Sequence, residues 1–186
     1  IDLLIRYFPT LSKDEVEILL SISTYKRVKK KEIIFQKGRR NKKFFILLKG
    51  SARSYENIEG VEANCHLRSE GYIMGDARAF GDNQVSPLIT EAITDSDILL
   101  FDMGDLEAIA LENPKMMTFY LNLMKEVIIV FSHRIYTFVT MDSQERYEDL
   151  IKWNPLYLKT TFDKHLASFL GMSPLTYLRI KKKTIK

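Results

Sequence analysis

The sequence predicts an α+β protein in which an N-terminal, jelly-roll-like β-roll is followed by a long helix and a C-terminal all-α domain of the winged helix-turn-helix type. Three observations lead to this prediction. Short apolar runs separated by glycines fill residues 25–102, which is typical of a small antiparallel roll or barrel. Apolar residues then recur at alternating spacings of four and three from Met117 to Phe138. The last quarter of the chain reads as two short helices joined by a tight turn.

The composition indicates a globular, cytoplasmic protein. Of the 186 residues, 46% are hydrophobic and 28% are charged, and the formal net charge is +4. One cysteine, Cys65, excludes an internal disulfide and a four-cysteine iron–sulfur site, and it fits a reducing compartment. The longest apolar stretch, around Val127 to Phe131, is far shorter than the ~20 residues of a membrane span. No secretory signal is recognisable, so we expect no membrane association.

The N-terminal region begins with a helix and continues as strands. Ser12 and Glu15 form a capping box ahead of an amphipathic helix. Gly38, Gly50 and Gly60 mark turns between apolar runs. The runs predict six strands: Ile33–Phe35, Phe44–Leu48, Ser51–Tyr55, Ala63–Leu67, Leu88–Ile93 and Asp97–Phe101.

A long helix follows the roll. Asp102 to Glu112 is helical in composition, and Asn113-Pro114 opens the next helix. The four-three spacing predicts a coiled-coil seam made of Met117, Leu121, Met124, Ile128, Phe131, Ile135 and Phe138. The same spacing also suits one helix buried against its own domain, but a seam beside paired recognition helices favours a symmetric dimer. His133 and Arg134 on its flanks are expected to be solvated or to contact the neighbouring domain.

The last quarter carries the pattern that indicates DNA binding. Ala167 and Gly171 stand where two helices cross and turn, and Ser173-Pro174 then caps and starts a second helix. This is the helix-turn-helix pattern, whose second helix enters the major groove of DNA. The side chains spaced to fill the wedge between the helices are Leu166, Leu170, Met172, Tyr177 and Ile180.

These features, in this order, resemble the Crp–Fnr superfamily of bacterial transcription regulators. The segments 34–38 and 45–53 look like the opening hairpins of that family's cyclic-nucleotide-binding roll. The segment 71–76 resembles the approach to its phosphate-binding cassette, and 167–173 resembles its DNA-binding signature. The resemblance covers nearly the whole chain and implies three parts: an effector roll (1–112), a dimerisation helix (113–140) and a DNA-binding domain (141–186).

The effector pocket departs from the family pattern. Members that bind cyclic AMP use a glutamate for the ribose and an arginine for the phosphate, and here those positions read Asp76 and Ser86. A buried phosphate without a guanidinium partner is costly, so we do not expect a cyclic nucleotide, although Arg53, Arg68 or Arg78 could substitute. We favour a roll that is empty or binds another small ligand. Haem or redox sensing at Cys65-His66 is less favoured, because the two side chains should point to opposite faces of a strand. The residues of this degenerate pocket are Gly75, Asp76, Ala77, Ser86 and Pro87.

The resemblance also implies which residues meet DNA. Arg179 is the candidate for reading guanine, with a phosphate contact as the alternative. The groove-facing set is Pro174, Leu175, Thr176, Leu178 and Arg179, and the phosphate-contacting set is Lys164, Ser168, Ser173, Lys181, Lys182 and Lys183. The family's β-wing is expected to be absent or vestigial, its contacts being taken over by a basic tail in which five of the last eight residues are basic.

The sequence therefore predicts a homodimeric transcription regulator that binds palindromic double-stranded DNA, with RNA polymerase as a candidate further partner. The rival hypothesis is a cyclic-nucleotide or other small-molecule sensor that acts through a protein partner and has a vestigial DNA-binding end. No catalytic pair of residues or metal-spaced cluster supports an enzyme.

Overall fold

Two short helices open the chain in the computed structural model, which describes residues 1–76 and 85–184. They are α1 (Asp2–Tyr7) and α2 (Lys13–Ser21). The capping box predicted at the start of α2 is present, with the Ser12 backbone N–H donating to the Glu15 carboxylate at 2.9 Å. Helix α1 was not predicted, because its six residues show no capping signal and no full apolar period.

Eight antiparallel strands within the described residues build two four-stranded sheets, which confirms the predicted β-roll. The first sheet has the order β1-β8-β3-β6 and the second β2-β7-β4-β5. The strands are β1 (Ser23–Val28), β2 (Ile33–Phe35), β3 (Lys43–Lys49), β4 (Ser51–Ile58), β5 (Val61–Ser69), β6 (Ile73–Met74), β7 (Ile89–Ala92) and β8 (Ser96–Asp102). Strands β1 and β6 were not predicted. Strand β1 lies at a sheet edge with mostly exposed side chains, and β6 has only two residues, so neither shows an alternating apolar pattern.

Six helices follow the roll in the described part of the chain. They are α3 (Met103–Glu112), α4 (Pro114–Thr140), α5 (Ser143–Trp153), α6 (Pro155–Thr160), α7 (Asp163–Phe169) and α8 (Pro174–Thr184). Asp102, Asn113 and Asp142 cap α3, α4 and α5 with their side chains, and the chain breaks between α4 and α5 at Met141 and Asp142. Helix α6 was missed because Asn154-Pro155 reads as a stop, whereas a proline at the first helical position also starts a helix.

Three apolar clusters hold these elements together. One lies between α1–α4 and the first sheet, and a second fills the roll between its two sheets. The third belongs to the C-terminal helices and includes Leu67 and Ile93 of the roll. The helical domain is therefore packed directly on the second sheet, at the edge strand β5.

None of the helices in residues 1–76 and 85–184 combines the length and the apolar character that crossing a membrane requires.

Candidate nucleic-acid interface

The turn between α7 and α8 has the geometry that the sequence predicts. Gly171 adopts a left-handed backbone with φ of +65°, which an L side chain disfavours. A Cβ at this position would also lie 2.6 Å from Cε1 of Phe138 on α4. The Ser173 hydroxyl accepts from the Thr176 backbone N–H at 3.1 Å, so it caps α8. Two independent constraints thus keep residue 171 a glycine and hold the turn against α4.

The predicted wedge between the two helices is present. Leu166, Ala167 and Leu170 of the first helix and turn are buried against Tyr177 and Ile180 of α8, and Met172 packs beside them. Below α8, the Tyr147 ring of α5 meets the Tyr177 ring edge-on, with 5.5 Å between centroids. One face of α8 is therefore fixed by close packing on α5 and α7.

The opposite face of α8 is exposed. At 100° per residue, Leu175, Leu178, Arg179 and Lys182 share one side of the helix, and all four are exposed, Leu175 to 79%. Arg179 and Lys182 form no ion pair with any described residue. Pro174 lies at the exposed start of this face. This is the surface that would enter a groove, and two of its four side chains are leucines.

Other predicted DNA contacts lie at the edges of this face. Thr176 is half-buried, and its hydroxyl is 2.9 Å from the Ser173 hydroxyl. Lys183 Nζ lies 3.4 Å from Gln144 Oε1, and Lys164 is exposed in the first turn of α7. Lys181, predicted to contact phosphate, instead forms an ion pair with Asp163 at 2.7 Å. Its spacing on α8 directs it toward α7 rather than toward the exposed face.

Ser168, also predicted to contact a phosphate, is bonded to the roll. Its hydroxyl donates to the Glu62 carbonyl oxygen at 2.7 Å and accepts from the Asn64 backbone N–H at 2.9 Å. Both partners belong to β5, so in this arrangement the hydroxyl is bound to the roll and is not available to a phosphate. The family-like position of Ser168 did not reveal this, because the contact joins residues more than 100 positions apart.

Edge strand β5 is covered by the helical domain and α4. Besides Ser168, the Tyr157 hydroxyl of α6 donates to the Leu67 carbonyl at 2.6 Å. Arg134 Nη2 of α4 donates to the carbonyl oxygens of Asn64, at 3.3 Å, and of Phe169, at 2.9 Å. Of the two environments expected for Arg134, the contact with the neighbouring domain is therefore the one observed. These bonds satisfy backbone groups that an uncovered edge would leave open.

A buried charge cluster lies under α7. Arg53 of β4 is 2% exposed, and its guanidinium lies 2.7 Å from Glu62 and 2.9 Å from Glu91. Arg53 Nη1 also donates to Nδ1 of His165 at 2.9 Å. Burial, followed by the charge of Arg53, lowers the pKa of His165 to about 4, so the imidazole is a neutral acceptor at neutral pH. The hydrogen bond from Arg53 lowers the pKa of Glu62.

Sequence reasoning treated Arg53 only as a possible phosphate partner, and the structure contradicts that role, because its guanidinium is already engaged by two carboxylates and His165. A usable signal was nevertheless present. Arg53 and Glu91 are opposite charges within two predicted strands of the same roll, and they are directly paired in register between β4 and β7.

The predicted effector residues lie on both sides of residues 77–84, which are outside the described part of the chain. Gly75 packs so tightly on the Phe44 ring that a Cβ would overlap it. Asp76 follows, and Ala77 and Arg78 lie outside the described residues. Ser86 is buried beside Pro87, its backbone is bonded to Gly38 and Arg39, and its hydroxyl accepts from the Leu88 N–H at 3.1 Å. The remaining candidate, Arg68, donates to the carbonyl oxygens of Ile73 and Leu67.

Cys65 and His66 do not lie on opposite faces, contrary to the sequence-based expectation. Ser54 pairs with His66 and Tyr55 with Asn64, so Cys65 is the extra residue of a β-bulge, and both side chains line the same spaces against α4. Burial, followed by the charges of Arg68 and Arg134, lowers the pKa of His66 to about 3. No group of three side chains suited to a metal ion occurs in residues 1–76 and 85–184.

Helix α4 exposes most of the predicted seam. Its buried side chains are Met116, Phe119, Leu123 and Thr137, which face the chain's own roll and C-terminal domain. Of the seven seam residues, Leu121, Ile128, Ile135 and Phe138 are exposed, whereas Met117, Met124 and Phe131 are half-buried. Phe138 additionally packs on Gly171 and under the guanidinium of Arg134. Helix α4 thus has one face on its own domains and a second, apolar face open to solvent.

A β-roll, a long helix and a helix-turn-helix in this order define the architecture of Crp–Fnr regulators, and the comparisons agree with it. Residues 25–113 match the cyclic nucleotide-binding domain family. The match covers just under half of the chain, and the order of the elements is the one that the resemblance to the Crp–Fnr superfamily predicts. No curated protein matches the sequence significantly.

Several solved structures share the fold at low sequence identity. FixK2 from Bradyrhizobium japonicum superposes with a TM-score of 0.72 at 16% identity, over 87% of this chain and 84% of FixK2. The c-di-GMP-responsive global regulator CLP from Xanthomonas campestris gives 0.69 at 14% identity, over 93% and 91%. A CooA variant from Carboxydothermus hydrogenoformans gives 0.67 at 18% identity, over 89% and 77%.

Proposed function

We propose that this chain is a sequence-specific DNA-binding transcription regulator of the Crp–Fnr type that binds palindromic sites as a homodimer. The observation that carries the proposal is the two-sided character of α8. Tyr177 and Ile180 anchor one side in the domain core, while Arg179 and Lys182 project from the other without ion pairs to described residues. A rigidly held helix with an exposed basic face is what major-groove recognition requires.

Within this function the residues of α8 have different roles. Arg179 is placed to donate to a guanine edge, and Leu175 and Leu178 offer apolar contacts to thymine methyl groups. Lys182, Lys183 and Lys164 supply phosphate contacts, which position the protein without reading sequence. Ser173 and Pro174 start the helix at the groove.

Self-association would be carried by α4. Leu121, Ile128 and Ile135 recur every seven residues on its exposed face, as in a coiled-coil seam. A dimer along this face would present two α8 helices to half-sites one helical turn apart, ~34 Å. We accordingly divide the chain into an effector roll (1–112), a dimerisation helix (113–140) and a DNA-binding domain (141–186), with RNA polymerase as a candidate further partner.

DNA binding in this proposal needs no cyclic nucleotide. Ser86 stands where the resemblance calls for an arginine, and its hydroxyl is turned to the backbone of Leu88. Arg53 is engaged by Glu62 and Glu91. The description of CLP as a regulator of gene expression supports the regulator class, and the effector chemistry of such proteins is not transferred to this chain.

The test is selection of random duplex DNA on the purified chain without added ligand, followed by sequencing of the retained duplexes. We expect a palindromic consensus. In Arg179→Ala, the preference at the position that Arg179 reads should weaken by about 1–3 kcal/mol. Lys182→Ala is the matched control, because loss of a phosphate contact should weaken all sequences alike and reduce the salt dependence of binding. A random pool retained equally by wild type and Arg179→Ala would refute sequence-specific binding.

A second candidate function is small-molecule or cyclic-nucleotide sensing through a protein partner, with a vestigial DNA-binding end. The observation that favours it is the exposure of Leu175 and Leu178, because apolar side chains at the centre of a surface helix also suit a protein interface. Retention of no specific duplex by a folded dimer would favour this second function.

A further inference from the structure

A cavity of about 110 Å³ lies where α4, β5 and the C-terminal helices meet, away from the exposed face of α8. Val130 and Phe138 of α4, Trp153 of α5 and Phe169 of α7 contribute apolar walls. Such a cavity is slightly smaller than the ~150 Å³ that admits benzene. It can therefore hold a small organic molecule as well as water.

Three guanidinium groups from three different elements line this cavity: Arg68 of β5, Arg134 of α4 and Arg146 of α5. Each donates to backbone carbonyl oxygens. Arg68 bonds Ile73 and Leu67, Arg134 bonds Asn64 and Phe169, and Arg146 bonds Leu170 and Met141. No carboxylate of the described residues lies within 4.0 Å of any of the three.

The charge of the lining is unbalanced. Asp149 is the one carboxylate among the described lining residues, and it is bonded to His133 Nε2 at 2.8 Å. Among these lining residues, three guanidinium charges against one carboxylate leave a formal +2, and outside them the Glu126 carboxylate interacts with the charge of Arg68. Burial, followed by the charges of Arg68 and Arg146, lowers the pKa of Arg134 to about 10. Charges in such a place are normally compensated by an anion.

Arg134 also retains donors for such an anion. Both of its hydrogen bonds use Nη2, so within the described part of the chain Nε and Nη1 have no acceptor. The rings of Phe138 and Phe169, which also line the cavity, lie 4.7 Å and 4.0 Å from the Arg134 guanidinium carbon.

We propose that this interdomain cavity binds a small organic carboxylate, with its charge on Arg134 and the neighbouring guanidinium groups and its hydrocarbon part on the aromatic walls. The apolar walls favour an organic anion over inorganic phosphate, and the volume limits it to about six heavy atoms by comparison with benzene-sized cavities. Because α4, β5 and α5 each contribute an arginine, the bound anion would join the long helix, the roll and the DNA-binding domain. This site is separate from the proposed DNA-reading face and does not depend on it.

The test is isothermal titration calorimetry of the full chain with sodium butyrate, in the absence of DNA. We expect saturable binding of butyrate and none of butyramide, its uncharged isostere. Arg134→Gln should weaken binding about tenfold or more, since a hydrogen bond to a charged group is lost. Arg27→Gln, which removes an exposed arginine of β1, is the matched control and should leave butyrate binding unchanged.

A second variant keeps the test decisive where Arg134→Gln does not fold, as judged by circular dichroism. Val130→Phe retains all three arginines but fills the cavity, so butyrate binding should be lost in a folded protein. The proposal is overturned if folded wild type does not bind butyrate saturably, if butyramide binds equally well, or if both variants keep the wild-type affinity. Saturable binding of inorganic phosphate in place of butyrate would overturn the assignment to an organic carboxylate.

Discussion

Arg53 of the roll stabilises the contact with the helix-turn-helix, because its guanidinium binds two carboxylates of the roll and His165 of α7. Its side chain lies over the Tyr55 ring, 3.9 Å from the ring centroid, and its charge is shared between Glu62 and Glu91. His165 of α7 completes the cluster through its unprotonated Nδ1. A buried ion pair adds little net stability compared with apolar packing, but removing one partner leaves the other charges uncompensated.

Arg53→Met should therefore lower the free energy of unfolding by about 3–5 kcal/mol, measured by urea denaturation at pH 7. The control is Arg27→Met, which breaks the ion pair with Asp97 on the outer face of the first sheet. The Arg27 side chain is 77% exposed, and such pairs contribute ~1 kcal/mol or less. Equal losses in the two variants would contradict the stabilising role of the Arg53 cluster.

At the scale of elements, the turn between α7 and α8 depends on one glycine for two reasons that can be measured separately. Gly171→Ala introduces left-handed backbone strain and a clash between the new Cβ and the Phe138 ring. Gly60→Ala introduces only the backbone strain, because Gly60 has a φ of +87° and no atom lies within 4 Å of a Cβ at that position. The strain costs about 1–2 kcal/mol in each. We expect the larger loss in Gly171→Ala, measured by thermal unfolding, and losses of the same size would mean that Phe138 moves aside without cost.

The exposed face of α4 makes a second prediction at this scale. Ile128 lies at the centre of the proposed seam and is 63% exposed in a single chain. Ile128→Glu places a charge there and should convert a dimer to monomers, as measured by sedimentation velocity. Leu111→Glu on α3 is the control, since Leu111 is 79% exposed and lies off the seam. A dimer that survives Ile128→Glu, or a wild-type chain that is monomeric, would exclude α4 as the dimer interface.

The elements that sequence reasoning found are those with strong local signals. The capping box at Ser12, the four-three apolar spacing of α4 and the Gly171–Pro174 turn each depend on residues within a few positions, so they are readable without a fold. Strand β1 was missed because long-range pairing defines it, and helix α6 was missed because its opening proline was interpreted as a stop. The Arg53 cluster and the bond of Ser168 to β5 likewise join distant segments, which no local pattern encodes.

At the scale of the whole molecule, the C-terminal domain is not suspended from the end of α4 but packed on the roll. Tyr157, Ser168 and His165 all bond to the second sheet or to a side chain within it. The position of the exposed α8 face is therefore set by the same contacts that cover edge strand β5. Conditions that weaken those contacts should loosen α8 from the roll.

Acidification is such a condition, because two histidines are neutral at this junction. Unfolded histidine titrates near pH 6.5, whereas the folded-state pKa is about 4 for His165 and about 3 for His66. Below pH 6.5 the unfolded chain binds protons that the folded chain does not, so stability is greatest above pH 6.5 and falls as the pH drops toward 4. Each histidine contributes a slope of up to about 1.4 kcal/mol per pH unit.

The prediction is tested by urea denaturation between pH 6.5 and pH 5, where carboxylates in the unfolded chain are still mostly ionised. His165→Gln keeps a polar partner near Arg53 and removes one titrating group, so the slope of stability against pH should fall by up to about 1.4 kcal/mol per pH unit. The His66 contribution should remain, because its ring packs on Phe131 of α4, with 5.2 Å between the ring centroids, and is not part of the Arg53 cluster. An unchanged slope in His165→Gln would mean that α7 releases its histidine to solvent before the chain unfolds, and the roll and the helix-turn-helix would then be separable bodies.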